Sequence, residues 1–136
     1  MNYWLVKTEP DEYSWEDFTS TGGGRWDGVR NYQARNFMQE MKEGDRVFFY
    51  HSGSPRAIVG LAKVSKEAYP DPSADSDKWV SVDLVPDRAL DNPVSLDAVK
   101  ADERLAESYL VKNSRLSVMP FEKEQFEIIL SKEKEQ

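Results

Sequence analysis

The sequence predicts an α+β fold: a curled, mostly antiparallel sheet with short helices at its rim. Three observations lead there. Short runs of β-branched and aromatic residues dominate the middle of the chain, helical periodicity is confined to brief stretches, and nothing alternates in βαβ order. The pattern alone does not choose between an open sheet and a barrel. The chain has 136 residues, 39% of them hydrophobic, with four Trp, six Tyr and six Phe. That suffices for one core, since a domain commonly takes about 100–200 residues. No internal repeat or long linker divides it, so a single domain over 1–136 is expected.

The elements follow in order. Tyr3 to Thr8 reads as a strand ended by Glu9-Pro10. Ser14 to Phe18 reads as a short helix with a capping box from Ser14 and Asp17, broken by Gly22-Gly23-Gly24. Ala34, Phe37, Met38 and Met41 give Asn31 to Met41 a helical period with one buried face. Arg46 to His51 is a continuous apolar strand, expected to be buried on both faces. Ala57 to Val64 is the next strand, and Gly60 within it marks a bulge or a close approach. Tyr69 to Lys78 reads as a loop. In Trp79 to Val85 the residues Val80, Val82 and Leu84 share one strand face. Ser95 caps a helix from Leu96 to Ala101, and Leu105 to Leu110 reads as another. Arg115 to Met119 is a last short strand. Pro120 leads into a helix burying Phe126, Ile129 and Leu130, and Ser131 to Gln136 is a charged tail expected to fray.

Composition excludes several kinds of chemistry. There is no cysteine, so disulfides and zinc–thiolate sites are out, and one histidine rules out a multi-histidine metal site. No carboxylate spacing suggests a metal, and neither metal nor cofactor is expected. The formal net charge of −7 argues against a long basic clamp for a phosphate backbone. The first residues lack a basic segment and an apolar core, and no apolar run approaches a membrane span of ~18 residues. A soluble, cytosolic protein with no membrane partner is the expectation.

The most informative stretch runs from Arg25 to Asn36, Arg-Trp-Asp-Gly-Val-Arg-Asn-Tyr-Gln-Ala-Arg-Asn. Aromatic, amide, carboxylate and guanidinium side chains alternate there, just after a glycine loop. The mixture suits a flat, partly polar ring, with faces for stacking and polar groups for the edge.

Together with Tyr3-Trp4-Leu5-Val6-Lys7-Thr8-Glu9-Pro10, Tyr50-His51-Ser52, Ala68-Tyr69-Pro70-Asp71-Pro72, Val94-Ser95-Leu96 and Leu116-Ser117-Val118-Met119-Pro120, this stretch resembles the EVE-domain family of the PUA-like superfamily. The matches run in order along the whole chain, and the stretch from Asp75 to Trp79 is shorter than in many members. The resemblance implies a PUA-like curled β-barrel with peripheral helices. It also implies distant kinship with YTH domains, and binding of a modified base in DNA or RNA, or of a modified nucleotide. It suggests that Lys7-Thr8-Glu9 and Trp26-Asp27 line one pocket, with Trp79 a candidate for the opposite wall.

Each candidate also has a structural reading. Trp26 is the leading stacking face, where base stacking contributes about 1–3 kcal/mol; otherwise it anchors its loop in the core. Tyr69 and Trp79 are further stacking candidates. Trp4 and Trp15 read as structural. Asp27 and Asn31 suit a ring edge with an exocyclic amine, yet Asp27-Gly28 is also a common turn and Asn31 sits where a helix would begin. Thr8, Ser52 and Ser117 offer hydroxyls, Lys7 is a candidate for a phosphate or carbonyl or else a solvated strand-end lysine, and His51 is a candidate for the pocket mouth or a hydrogen-bonded strand end. Arg30, Arg35, Lys112 and Arg115 are candidates for phosphates, or for pairing with nearby acids.

A non-catalytic reader of a modified base is the expected function. The alternatives are a hydrolase, since related ASCH domains include amidohydrolases using lysine, threonine and glutamate, and an acidic protein-interaction module. Against catalysis, no nucleophile elbow or cysteine is present, and neighbours on a strand point to opposite faces, so Lys7 and Thr8 share one pocket only if the strand has already turned there.

Overall fold

In the computed structural model, which describes residues 1–134, six strands form one sheet in the order β2-β5-β4-β3-β1-β6. They are β1 (Tyr3–Thr8), β2 (Gly24–Trp26), β3 (Arg46–His51), β4 (Ala57–Pro70), β5 (Val80–Ser95) and β6 (Val118–Phe121). Every neighbouring pair is antiparallel except β1 with β3. Five helices stand around the sheet: α1 (Trp15–Ser20), α2 (Tyr32–Glu40), α3 (Leu96–Lys100), α4 (Tyr109–Lys112) and α5 (Lys123–Ser131).

The expected helix starts carry their caps. Ser14 and Asp17 make a reciprocal capping box on α1, and the Ser95 hydroxyl accepts from the Ala98 amide on α3. Gly60 lies where β4 shifts register against both neighbours, and the ring of Trp15 covers it so closely that a Cβ would meet ring atoms at 2.5 Å. Phe48 and Phe49 explain the unbroken apolar run of β3. Phe48 stacks on Phe126 of α5, and Phe49 stacks on Phe18 of α1, so both faces of the strand are buried. Trp4 is structural, as its place in β1 suggests: it is 3% exposed, and its indole N–H donates to Asp45.

Several expectations need correction. The sheet does not close into a barrel. β2 and β6 are its two edges and do not pair with each other. It curls nonetheless. β4 and β5 pair with four register shifts, and bulges bend a sheet and tighten its twist. The β2 strand has no counterpart in the sequence reading, because three residues starting from a Gly-rich segment carry no periodic signal. β4 continues six residues past Val64 to Pro70, pairing with Val80 to Asp83, and β5 runs on to Ser95, pairing back to Ala57; both extensions are largely exposed and polar and so carry little apolar alternation. The predicted helix at Leu105 to Leu110 is instead a 3-10 turn (Glu103–Leu105) followed by α4, and the last strand begins at Val118. The C-terminal tail is not frayed through its described part. Residues Lys132–Lys134 form a 3-10 turn, with Glu133 buried and accepting from both terminal guanidinium nitrogens of Arg88 at 2.7 Å. The rest of the predicted tail, 135–136, lies outside the described residues.

Candidate functional site

A cavity of about 960 Å³ opens at one end of the sheet, within the size range of small-molecule sites. The carboxyl ends of β1 and β3 supply Lys7, Thr8, Tyr50 and Ser52; the segment entering β6 supplies Ser114, Arg115 and Ser117; and Arg56 and Leu96 flank the β4–β5 hairpin. Trp26, Asp27, Val29 and Arg30 follow from β2. Trp26 pairs with Val82 near the start of β5, whereas Leu96 follows its end. Fourteen residues of straight strand would span roughly 45 Å. Only the curl of the sheet lets one cavity reach both.

Trp26 forms a wall. It is half-buried, and its ring meets Tyr13, Phe18 and Phe49 edge-on at centroid distances of 6.1, 6.4 and 5.6 Å. The core thus grips the indole while part of it faces the cavity. The loop that follows is bolted down by a residue whose role the sequence did not disclose. Asp71, with a fully buried side chain, accepts hydrogen bonds from the Gly28 amide, Arg30 and both the amide and the hydroxyl of Ser73. Burial pushes its carboxyl up, but the Ser73, Gly28 and Arg30 bonds outweigh that and hold it well below the usual carboxylate range. Asp71 lies 43 positions from Gly28, too far for any local pattern to join them.

The cavity is locally basic in an acidic protein. Five cationic side chains line it (Lys7, Arg25, Arg30, Arg56 and Arg115) against three carboxylates, Glu9, Glu12 and Asp27. Arg25 pairs with Asp27 at 2.9 Å and Arg30 with Asp71. Among the described residues, Lys7, Arg56 and Arg115 have no acidic partner. The Lys7 ammonium donates to the Ser114 carbonyl and stands 5.3 Å from the centre of the Tyr50 ring. Burial, and then the charge of Arg56, lower its pKa to about 8.

Of the residues singled out from the sequence, Lys7, Thr8, Trp26, Asp27, Arg30, Ser52, Arg115 and Ser117 line this cavity. Lys7 and Thr8 both line it because the cavity crosses the end of β1, where both residues are part-exposed. The other candidates do not line it. Asn31 caps α2, accepting from the Ala34 amide. His51 accepts the Trp15 amide on Nε2, and burial lowers its pKa. Tyr69 donates to Asp83 in a very short bond. Trp79 stacks outside against Tyr32 and is not the opposite wall. Arg35 is spent on Asn36 and the Lys78 carbonyl, and Lys112 on Glu107. The residues missed are Tyr13, Tyr50, Arg56 and Asp71. Tyr50 and Asp71 fell within quoted motifs, but neither carried a signal of its own.

Known proteins resemble this chain in sequence and in fold. Residues 2–132 match the EVE domain. Rat thymocyte nuclear protein 1 is 39% identical over 97% of this chain and 74% of its own length. A crystal structure of a protein from Agrobacterium tumefaciens superposes with a TM-score of 0.94 at 43% identity, covering 98% of this chain and 93% of that one. Human THYN1, crystallised in complex with 5-methylcytosine-containing DNA, gives 0.93 at 35% identity, covering 100% and 99%. A YTH domain of Zygosaccharomyces rouxii, bound to N6-methyladenosine RNA, is 15% identical with a TM-score of 0.64 over 98% and 87%, which shows a shared fold alone. The cytosolic expectation is corrected by the names of the relatives, which are nuclear. Its grounds were the lack of a signal peptide and of a spanning segment, and neither separates cytosol from nucleus. Motif order, fold and full-length match converge: the chain belongs to the EVE-domain family.

Proposed function

We propose that this protein reads a modified nucleobase in nucleic acid without altering it, stacking the base on Trp26 in the cavity at the end of the sheet. One observation carries the reading. The cavity combines a half-buried indole wall with three cations that have no acidic partner, in a chain of net charge −7. A base supplies the flat face and its phosphates supply the negative charge. Asp27, oriented by Arg25, is placed to accept from an exocyclic amine, while Lys7, Arg56 and Arg115 take phosphate oxygens. The complex of human THYN1 with 5-methylcytosine-containing DNA puts methylated cytosine first among the ligands. A methyl group in a fitted apolar space contributes about 1–3 kcal/mol of discrimination.

A panel of modified and unmodified cytosine and adenine oligonucleotides, titrated by fluorescence anisotropy with mass spectrometry of the same tubes, tests the proposal. The expected result is tighter binding to one modified base, with every oligonucleotide recovered intact. Equal affinity for modified and plain bases would sink it.

One observation favours the hydrolase reading. Lys7, Thr8 and Glu9 line the same cavity. Their bonds weigh against it. The Thr8 hydroxyl donates to the Tyr13 carbonyl at 3.0 Å and the Lys7 ammonium to Ser114, so neither forms a nucleophile–base pair. Turnover in the mass spectra that disappears in Lys7→Ala would reverse the choice.

A further inference from the structure

A second aromatic feature lies beside the cavity and is not used by it. Tyr32, the first residue of α2, stacks on Trp79 with ring centroids 4.9 Å apart and planes 31° apart. Tyr32 is 54% exposed, a large apolar surface for a pair whose sole task would be to hold a helix start. Three cations surround the rings. Arg30 stands 5.7 Å from the Trp79 centroid, Arg35 5.1 Å from Tyr32, and Lys78 within 5.8 Å of both. Although Asp77 is its chain neighbour, Lys78 makes no ion pair among the described residues, and neither does Arg35. Arg30 joins the two features, because it lines the cavity and also stands over the Trp79 ring.

We propose that the Tyr32–Trp79 pair is a second nucleotide site, a platform on which the base next to the one in the cavity stacks, so that the ligand is an unstacked strand of nucleic acid and not a free nucleotide. The inference rests on the base-reading function of the cavity. An exposed Tyr32 ring on a half-buried Trp79, with Arg35 and Lys78 free of acidic partners, matches an unpaired nucleotide in both shape and charge. An exposed cation–π contact is weaker than a base–aromatic stack. An arriving base therefore displaces the Lys78 ammonium from the ring faces onto its own phosphate. Arg30, pinned by Asp71, is placed between the two bases, where the linking phosphate must pass.

The test uses the full chain and two probes: 5-methyl-dCMP, and a single-stranded heptathymidylate DNA whose central residue is replaced by 5-methyldeoxycytidine. Each of the four tryptophans contributes one indole N–H signal, assigned by single Trp→Phe substitutions, and the signals are followed by NMR during titration. The mononucleotide is expected to move Trp26 alone, and the heptanucleotide to move Trp26 and Trp79 together. Tyr32→Ala and Trp79→Ala are expected to weaken the heptanucleotide about tenfold and leave the mononucleotide unchanged. A heptanucleotide that moves Trp26 but not Trp79 overturns the platform and keeps the cavity. One that moves Trp79 but not Trp26 keeps the platform as a strand-binding site and overturns the cavity reading. Movement of neither overturns both. Equal losses for both probes in Tyr32→Ala would overturn the platform as a site for a neighbouring base.

Discussion

At the scale of single residues, Trp26 and Lys7 divide the work. The indole is held by Tyr13, Phe18 and Phe49, so truncation to alanine would lower stability as well as binding. Trp26→Leu separates the two effects. Leucine keeps apolar contact with those rings but offers no stacking face. It should cost about 1–3 kcal/mol of binding to a 5-methylcytosine oligonucleotide, with a smaller fall in melting temperature; titration and thermal melts on one preparation check this. Lys7 sets a pH dependence. Its folded pKa of about 8 lies below the unfolded 10.5, so between those values the unfolded chain binds more protons and stability rises with pH. Binding runs the other way. A ligand phosphate favours the charged lysine, so affinity is full below pH 8 and declines above it. Lys7→Met should remove that decline and raise the melting temperature at neutral pH. A wild-type affinity that stays flat from pH 7 to pH 9.5 would remove Lys7 from the phosphate contacts.

At the scale of elements, two long-range contacts place the site. Asp71 accepts four hydrogen bonds, and the two from Gly28 and Arg30 hold the loop after β2. Removing a buried charged acceptor leaves its donors unsatisfied and costs about 2–3 kcal/mol. Asp71→Ala should therefore lower stability, speed hydrogen exchange at the Gly28 amide and weaken binding, although Asp71 itself does not line the cavity. The carboxyl is held below its unfolded value, so this stabilisation is present above that value and is lost as pH falls through the acid range. Gly60 performs the matching task for α1. A Cβ there would collide with the Trp15 ring, and ring and strand would both have to move. Gly60→Ala should cost about 1–3 kcal/mol, read from the midpoint of denaturant unfolding with an unchanged slope.

At the scale of the whole molecule, charge and curvature decide what can bind. The chain carries −7 overall, yet its cavity is locally positive. Long-range attraction to a polyanion is thus absent, and phosphate contacts are limited to the few cations near the site. The logarithm of affinity should fall with the logarithm of salt at a shallow slope, reflecting about two to four phosphate contacts and not the 6–10 of a backbone clamp. Binding to the 5-methylcytosine heptanucleotide at several salt concentrations measures it. Tight binding of long unmodified duplex with a steep slope would contradict the reader function. Curvature matters because the cavity exists only where the bent β4–β5 hairpin brings β2 round to the end of β1 and β3.

The sequence by itself determined the local structure. Apolar periodicity, caps and glycines act over a few residues, so β1, α1, α2, β3 and α3 could be read with their ends within a residue or two. The family could be read as well, because its signature is a run of adjacent residues. What depends on distant residues meeting was decided by the tertiary structure alone. Asn31 and His51 look like ligand groups in sequence and are hydrogen-bonding parts of the scaffold. Trp79 looked like the far wall of the cavity and lies outside it. Asp71 fell within the segment read as a loop and is the anchor of the loop after β2. The open edge between β2 and β6 was equally hidden, since β-pairing is long-range and its register follows from bulges and twist. A side chain's chemistry is local, but the partners that use it up or leave it free are brought to it by the fold.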